Sequence, residues 1–591
     1  MKYKLYDESI NTSDVLEKVL YNRGIKDYRR YLNLNENENL TYDLLDNIDE
    51  CVSVFMRHFN NKNKIEILVD SDPDGYCSAA MMYLYIKKMD DEYPVNYILH
   101  NSVKAHGLRG DYLISNDTKL LIIPDAGTND VKECKELKEN GIDIIILDHH
   151  ESEKINPYAY IVNNQMSQNY YNKDLCGAGV VYKFLQALDA ENWNEFADDY
   201  LDLCALANIS DVMDMRSFET RYLTNTGLLN ISNKCLLALI KAQDYSMQGK
   251  INVHNVQWYI TPVLNACIRI GSFEEKELLF RAFIEQDEYF EYKKRATKDK
   301  PSEVIQESIY DRAARLCKNT KSRQDKLRDK GFNEIVSIVG NENGNENGDD
   351  KVVMVDVTNI LNNGLTGVVA IKVAEKFNKP CILLRKHFDS DLNKEVYGGS
   401  ARNINHSPID SFKDIINNTN ICFAQGHSNA CGIVNLEIEK KDEALKAMNN
   451  ILKDIVYDST YLVDYIFDEN DIDVSTIIEM SNFEDIICQG IEEPMIAVEN
   501  ISLTRDSFEI FGKNEDTVSF LMNGIKCIQF KCKAGNKLYD FLQNAWDDND
   551  SVTFNIVGKP SINEYNGVKT PQIVISDVNV ISIEKDTEDE W

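Results

Sequence analysis

The sequence predicts an α/β protein in four parts: a parallel-sheet lobe, a long connecting helix, a smaller α/β lobe and a C-terminal β-barrel. Three observations carry this. From residue 65, strand-like apolar runs alternate with helical stretches (IEILVD, GYCSAAMMYLYIKK, VNYIL, LLIIPD, DIIILD, AYIVNN), as in a parallel sheet covered on both faces. A charged run from Lys293 to Lys330, poor in proline, suits one long helix, after which EIVSIVG and KVVMVDV start a second set of strands. From about residue 490 the pattern becomes short β-runs (MIAVENISL, SFEIFG, TVSFLMN, IKCIQFKC, SVTFNIVGKP, PQIVISDVNVI) with turns between them, which suits a small antiparallel barrel.

The expected boundaries follow from that punctuation. Residues 1–60 form an N-terminal helical segment, 61–290 the first lobe, 291–332 the connecting helix, 333–475 the second lobe and 485–591 the barrel. A polar, Gly-rich insert, NENGNENGDD, interrupts the second lobe and reads as an exposed loop. The glycine-rich stretches Gly398–Asn403 and Gly426–Gly432 read as turns whose N–H groups, with Ser400, Arg402 and His427, suit a phosphate or nucleotide; a purely structural turn is the competing reading.

Three apolar runs of the first lobe end in acidic or histidine side chains: IEILVDSDPDG, KLLIIPDAG and IDIIILDHH. In an open parallel sheet the carboxyl ends of the strands share one edge, so Asp70, Asp72, Asp74, Asp125, Asp148, His149 and His150 are expected to converge there. That density of negative charge in one cleft needs cations, and oxygen ligands with one or two imidazoles favour manganese or magnesium over structural zinc. Asp70 to Gly75 also opens like a calcium-binding EF-hand loop. That loop requires Glu at its twelfth position and a helix in front, whereas this chain has Met81 there and a β-rich run before it.

The DxDxDG at Asp70–Gly75, the Asp125-Ala-Gly127 turn and the literal Asp148-His149-His150 resemble the DHH phosphoesterases, and further matches resemble their RecJ-like single-strand exonucleases. VLYNRGI, LCGAGVVYKFL, NISDVMDM with ETR, TPVLNACIRIG, GLTGVVAIKVAEKFNKPCILL, GGSARN and GHSNACG follow the family's order nearly end to end. The resemblance implies a DHH catalytic lobe, a DHH-associated substrate-binding lobe and a C-terminal OB-fold. It implies two Mn2+ or Mg2+ ions held by Asp72, Asp74, Asp125, His149 and Asp211, with Asp125 bridging and Asp70 a further ligand or supporting group. His150 would meet the phosphate, Asp148 would orient a histidine, and Asn265 and Arg269 would bind the strand backbone. One departure stands out: the family's Arg in PNRxxxGYGL is replaced by Asn101 in LHNSVKAHGL, which leaves Ser400 and Arg402 to hold a terminal phosphate, helped by Lys104 or Arg109.

The implied activity is metal-dependent, single-strand-specific 5′-to-3′ DNA exonuclease action that releases nucleoside 5′-monophosphates during repair, recombination or replication. Two ions about 3.5 to 4 Å apart suit such phosphodiester hydrolysis. The alternatives are a DHH phosphodiesterase acting on short oligoribonucleotides or cyclic dinucleotides, and a non-catalytic replication scaffold. The barrel argues against the first and the intact acids against the second. Partners by resemblance are single-stranded DNA and a helicase or single-strand-binding protein, with the chain a monomer. Barrel aromatics Phe520, Phe530, Phe554 and Tyr565 are candidates for base stacking, although alternate aromatics in a small barrel are more often core.

A formal net charge of −33 over 591 residues argues against tight non-specific duplex binding, and leaves room for a local basic channel near Lys293–Lys330 or Lys526–Lys537. The absence of a signal-peptide pattern or a bilayer-length apolar run suggests the cytoplasm, and fourteen cysteines without CxxC pairs read as reduced core thiols. The Asn-, Lys-, Ile- and Tyr-rich composition and the departures at Pro73 and Ser428-Asn429 suit a phage or prophage copy from a low-GC genome.

Overall fold

The computed structural model describes residues 1–7, 12–100, 106–109, 112–152, 154–294, 301–342, 350–389, 392–405, 407–457, 460–481, 483, 486–512, 515–532, 538–539, 542, 551–565 and 568–584. The chain forms two units. One comprises Leu34–Asn403 and Ser411–Ile451; the other comprises Met1–Asn33, Ile404–Asp410 and the chain from Leu452 onward. The segment expected at residues 1–60 contributes to both units, and the unit that holds the C-terminal strands also takes in Met1–Asn33 and Ile404–Asp410.

The larger unit is built on a five-stranded parallel sheet of β2 (Ile65–Val69), β3 (Val95–Leu99), β4 (Leu120–Pro124), β5 (Asp143–Asp148) and β6 (Tyr160–Asn163), in the order β3-β2-β4-β5-β6. β2 (IEILV) and β4 (LLIIP) are buried along their whole length, which is why apolar residues dominate both faces of each strand, with Glu66 the one charged residue among them. The chain runs outward from β2 to β3 and then crosses back past β2 to β4. Strand order therefore reverses between β2 and β4, and in such sheets the crevice beyond the carboxyl ends at the reversal is where ligands bind.

The helix expected over 291–332 begins later and ends later, at Ile309–Glu342. Before it, β7 (Tyr289–Lys294) and β8 (Glu303–Ser308) pair as an antiparallel hairpin. The aromatic alternation of YFEYKK explains the difference: Arg312 lies 4.5 Å over the Phe290 ring and Arg315 lies 4.1 Å over the Tyr292 ring, so the hairpin packs on the helix through cation–π contacts. Positions 295–300, part of the basic run, lie outside the described residues.

Beyond the helix, β9 (Val353–Asp356), β10 (Cys381–Asp389), β11 (Lys394–Arg402), β12 (Phe423–His427) and β13 (Ala430–Glu437) form a mixed sheet in the order β12-β13-β11-β10-β9, with only the β9–β10 pair parallel. The GGSAR stretch is not the expected turn; it lies inside β11. A Cβ at Gly399 would stand 2.2 Å from the Leu383 carbonyl oxygen, so glycine here serves close strand approach. Ser428 and Asn429 alone connect β12 to β13. Most of the NENGNENGDD insert, positions 343–349, lies outside the described residues.

In the other unit β1 (Lys2–Leu5) pairs in parallel with β14 (Thr460–Val463). β15 (Tyr465–Asp468), β16 (Ile496–Thr504), β17 (Glu509–Phe511), β18 (Thr517–Met522), β19 (Ile525–Phe530), β20 (Ser551–Tyr565) and β21 (Val568–Glu584) form a seven-stranded sheet ordered β15-β16-β20-β21-β19-β18-β17. Its core includes Val15 and Val19 of the N-terminal helix Val15–Asn22 beside Val498, Phe520 and Phe554, and Arg23 ion-pairs with the buried Asp464. The Phe520 and Phe554 rings meet edge to face at 5.4 Å in this core, which removes both from the stacking candidates. Phe530 is exposed.

All fourteen cysteines except Cys488 are buried, and among the described residues no helix is long and apolar enough to cross a membrane.

Candidate metal centre

Two helix starts, one helix end and three strand ends build the site. Asp72 caps the helix Pro73–Met89, its Oδ1 accepting from the Gly75 amide at 2.9 Å, with Pro73 at the first helical position. Asp74 lies in the first turn of that helix. Its carboxylate accepts from the Gly177 and Ala178 amides at 2.7 and 2.8 Å and from Ser78 Oγ at 3.0 Å, so it lies against the start of a second helix, Gly177–Asn192. Both helix starts need glycine for contact: a Cβ on Gly75 or Gly177 would come within 2.5 Å of the Asp70 or Asp125 Cβ.

Asp125 follows β4 with a left-handed backbone, φ 67°, and its amide donates to the Leu147 carbonyl of β5 at 2.8 Å. This bend turns the carboxylate toward the carboxyl end of β5. There His149 Nε2 lies 3.2 Å from Asp125 Oδ1, 3.5 Å from Asp211 Oδ2 and 3.8 Å from Asp74 Oδ2. Asp211 arrives from the end of the helix Leu201–Ser210, and the next residue, Val212, is also left-handed at φ 59°, which is unusual for a β-branched side chain. Asp70, Asp72 and Asp125 form one potential ion-binding group, Asp74, His149 and Asp211 a second, and Asp125, His149 and His150 a third.

The electrostatics follow from burial and crowding. Burial first, and then the charges of Asp74, Asp72 and Asp70, push the Asp125 carboxyl well above the usual carboxylate range; burial, Asp74 and Asp72 do the same to Asp211. Burial holds His149 below the ordinary imidazole value. Burial alone would raise Asp148 too, but the hydrogen bond and charge of His150, with the Thr128 hydroxyl, hold it well below that range. Asp148 accepts from Thr128 N and Oγ1, from the His149 and His150 amides, and lies 2.8 Å from His150 Nδ1. It orients His150 and does not join the ion-binding groups.

The donor set fits divalent cations. Asp125 Oδ1 is buried without a hydrogen bond, and the surrounding donors are carboxylate oxygens with an imidazole, which suit manganese or magnesium.

The expected substrate residues lie elsewhere in the same unit. Asn265 and Arg269 stand on the helix Thr261–Ile270, and the buried Asn265 Oδ1 makes no hydrogen bond. Ser400 and Arg402 are on β11; Ser400 Oγ lies 2.9 Å from Thr366 Oγ1 at the start of the helix Thr366–Phe377. Burial, reinforced by the like charge of Arg269, holds the Arg402 guanidinium below its usual value. Arg402, Ala430 and His427 occupy one register row across β11, β13 and β12. Asn101 and Lys104 lie outside the described residues, and Arg109 is 2.8 Å from Asp130 Oδ1.

Sequence reasoning missed His106. Its Nδ1 lies 2.8 Å from Asp70 Oδ2, and its ring meets His150 edge to face at 4.8 Å. Asp70 also accepts from the Gly107 amide at 2.8 Å, so both its oxygens hold this turn. The signal was present: one of only nine histidines, placed before Gly-Leu in the stretch that departs from the RecJ-like pattern.

A parallel sheet that gathers strand-end carboxylates around a DHH triplet at its order reversal defines a DHH-type protein. The profile described as "DHH family, N-terminal domain" matches residues 64–208, and that described as "RecJ OB domain" matches residues 463–577. The chain is 36% identical over 587 residues, 98% of either chain, to the "Putative SPbeta prophage-derived single-strand DNA-specific exonuclease YorK" of Bacillus subtilis (strain 168). It is 26% identical to "Single-stranded-DNA-specific exonuclease RecJ" of the same strain, over 98% of this chain and 70% of that one. Among solved structures, RecJ of Thermus thermophilus in complex with Mn2+ superposes with a TM-score of 0.70 at 17% identity, covering 97% of this chain and 76% of the other. The chain belongs to the RecJ-like single-strand-DNA-specific exonuclease family of DHH proteins.

Proposed function

We propose that this protein is a 5′-to-3′ single-strand-specific DNA exonuclease that requires Mn2+ or Mg2+ and releases nucleoside 5′-monophosphates. The observation that carries the reading is His149 Nε2 facing the carboxylates of Asp74, Asp125 and Asp211 within 3.2 to 3.8 Å, with a buried Asp125 oxygen left without a hydrogen bond. Asp72, Asp74, Asp125, His149 and Asp211 would hold the ions, with Asp125 shared by two of the ion-binding groups and Asp70 supporting them. When bound, such ions supply Lewis-acid stabilisation to the scissile phosphate and a water of lowered pKa.

The remaining side chains hold the strand. His150, oriented through Nδ1 by Asp148, presents its other nitrogen to the phosphate. Arg269 and Asn265 hold the backbone, and Arg402 and Ser400, with His427 in the Arg402 row, hold the terminal phosphate; this gives the 5′ polarity a physical basis. Support for the substrate comes from the names of the two Bacillus relatives and from the OB-domain match, since such domains take single strands on aromatic and basic surfaces. Mn2+ and Mg2+ each accompany Thermus thermophilus RecJ in solved structures, which supports the choice of metal.

The test is digestion of single-stranded DNA labelled at either end, duplex DNA and short RNA, with and without Mn2+. Mononucleotide release from the 5′ end of single-stranded DNA alone, stopped by chelation, is expected. Preference for short RNA would overturn the substrate, and release from the 3′ end would overturn the polarity.

A further inference from the structure

The site holds a third imidazole to which the reading above gives no task. The turn at His106 is pinned at two points. Asp70 takes His106 Nδ1 and the Gly107 amide, one on each oxygen, and Asp130 takes the Leu108 amide on Oδ2 at 2.8 Å. Gly107 has φ 58°, and a Cβ there would lie 2.3 Å from that same Asp130 oxygen, so the turn has little freedom to rotate His106 away.

His106 repeats the arrangement of its neighbour. His150 lies 2.8 Å by Nδ1 from Asp148, and His106 lies 2.8 Å by Nδ1 from Asp70; both aspartates are buried. The two rings touch at 4.8 Å with an interplanar angle of 72°, and their side chains are 43% and 53% exposed. With Nδ1 engaged in each, Nε2 is the ring nitrogen left for a ligand. A residue needed only to hold Asp70 would not have to expose half its ring against His150, since the Gly107 amide already holds Asp70 from the same turn.

We propose that His106 is a second imidazole contact to the scissile phosphodiester, its Nε2 binding a non-bridging phosphate oxygen beside His150, so that the substrate phosphate is held between two aspartate-oriented rings. The assignment rests on the reading of this site as a single-strand nuclease.

The experiment compares full-length wild type, Asp125→Ala, His106→Ala, His106→Asn and His106→Gln on single-stranded DNA at saturating Mn2+, with Mn2+ affinity measured separately. Asn offers an amide donor near the Nδ1 position and can still hold Asp70; Gln offers one near Nε2 and can still reach the phosphate. His106→Ala and His106→Asn should lose about ten- to a hundredfold in kcat with Mn2+ affinity retained, and His106→Gln should recover part of the loss. The nitrogen NMR signal of the His106 ring should also move when a phosphorothioate single strand is added to Mg2+-loaded protein. Wild-type kcat in His106→Asn, or a loss in His106→Ala that higher Mn2+ restores, would overturn the proposal and leave His106 holding Asp70 only. An unmoved ring signal would overturn it as well. A wild type that cleaves no single strand, or an Asp125→Ala variant that still does, would instead overturn the nuclease reading of the site and His106's role with it.

Discussion

His149 Nε2 stands 3.2 Å from Asp125 Oδ1, and that oxygen is buried without a hydrogen bond. A buried carboxylate oxygen in this position is costly unless a cation or proton meets it. The pair couples β4 to β5 and has a member in each of the three potential ion-binding groups.

Removing either partner should therefore stop the reaction without unfolding the chain. Asp125→Ala and His149→Ala are each expected to lower the Mn2+-dependent rate more than ~100-fold, because even residues one layer outside a metal are worth about 10- to 100-fold. Circular dichroism should be unchanged. Activity near wild type in either variant would remove the two-ion assignment.

The same crowding gives the metal-free protein a pH signature. Asp125 and Asp211 carry folded-state values well above the usual carboxylate range, so between that range and the raised values the folded chain binds more protons than the unfolded one. Stability then falls as pH rises. Asp148 acts oppositely, since its value is held down and its contribution is lost as pH falls. The clean comparison is chelated wild type against chelated Asp125→Asn: the variant should lose less Tm on going from mildly acidic to mildly alkaline buffer, and saturating Mn2+ should flatten the wild-type slope. Identical slopes would show that Asp125 is not held protonated by its neighbours.

These properties trace to features of unequal legibility in the chain. Asp70, Asp125 and Asp148 are readable because each ends an apolar run that only a doubly covered sheet explains. Asp211 carries no such local mark, since it ends a helix, and only the family resemblance points to it. The GGSAR stretch misleads because glycine signals a turn as strongly as it signals close strand approach, and only the Leu383 carbonyl tells them apart. The start of the connecting helix is hard to place because the charges of KK and the later Arg residues hide the aromatic alternation that makes β7.

The division of the chain changes what a truncation should do. Cutting after residue 485 leaves Val15, Val19, Ile477 and Met480 without the Val498, Phe520 and Phe554 side of their shared core, so that product should aggregate. Removing both 1–33 and everything from 452 should give a soluble, folded protein. In the proposed role, it should bind long single strands more weakly and with a smaller salt dependence, yet still cleave very short oligonucleotides. Unchanged affinity for long strands would show that the removed unit does not bind them.

The proposed reader of the 5′ end is tested at Arg402. Its Nη1 donates to the Ala401 carbonyl at 2.8 Å, and the remaining guanidinium lies at the start of the helix Thr366–Phe377, where a Cβ on Gly367 would come within 2.7 Å of Nη2. A charge-assisted contact to a terminal phosphate contributes roughly 1.5–3 kcal/mol, so Arg402→Ala should cost about ten- to a hundredfold in kcat/KM on 5′-phosphorylated strands and much less on 5′-hydroxyl strands. Lysine cannot reproduce the planar fork, so Arg402→Lys should recover only part. Gly367→Ala provides the graded version: the added methyl displaces the guanidinium without removing its charge, and the 5′-phosphate preference should shrink by less than in Arg402→Ala. Equal losses on both kinds of end would mean that Arg402 does not read the 5′ phosphate, and the polarity would then need another residue.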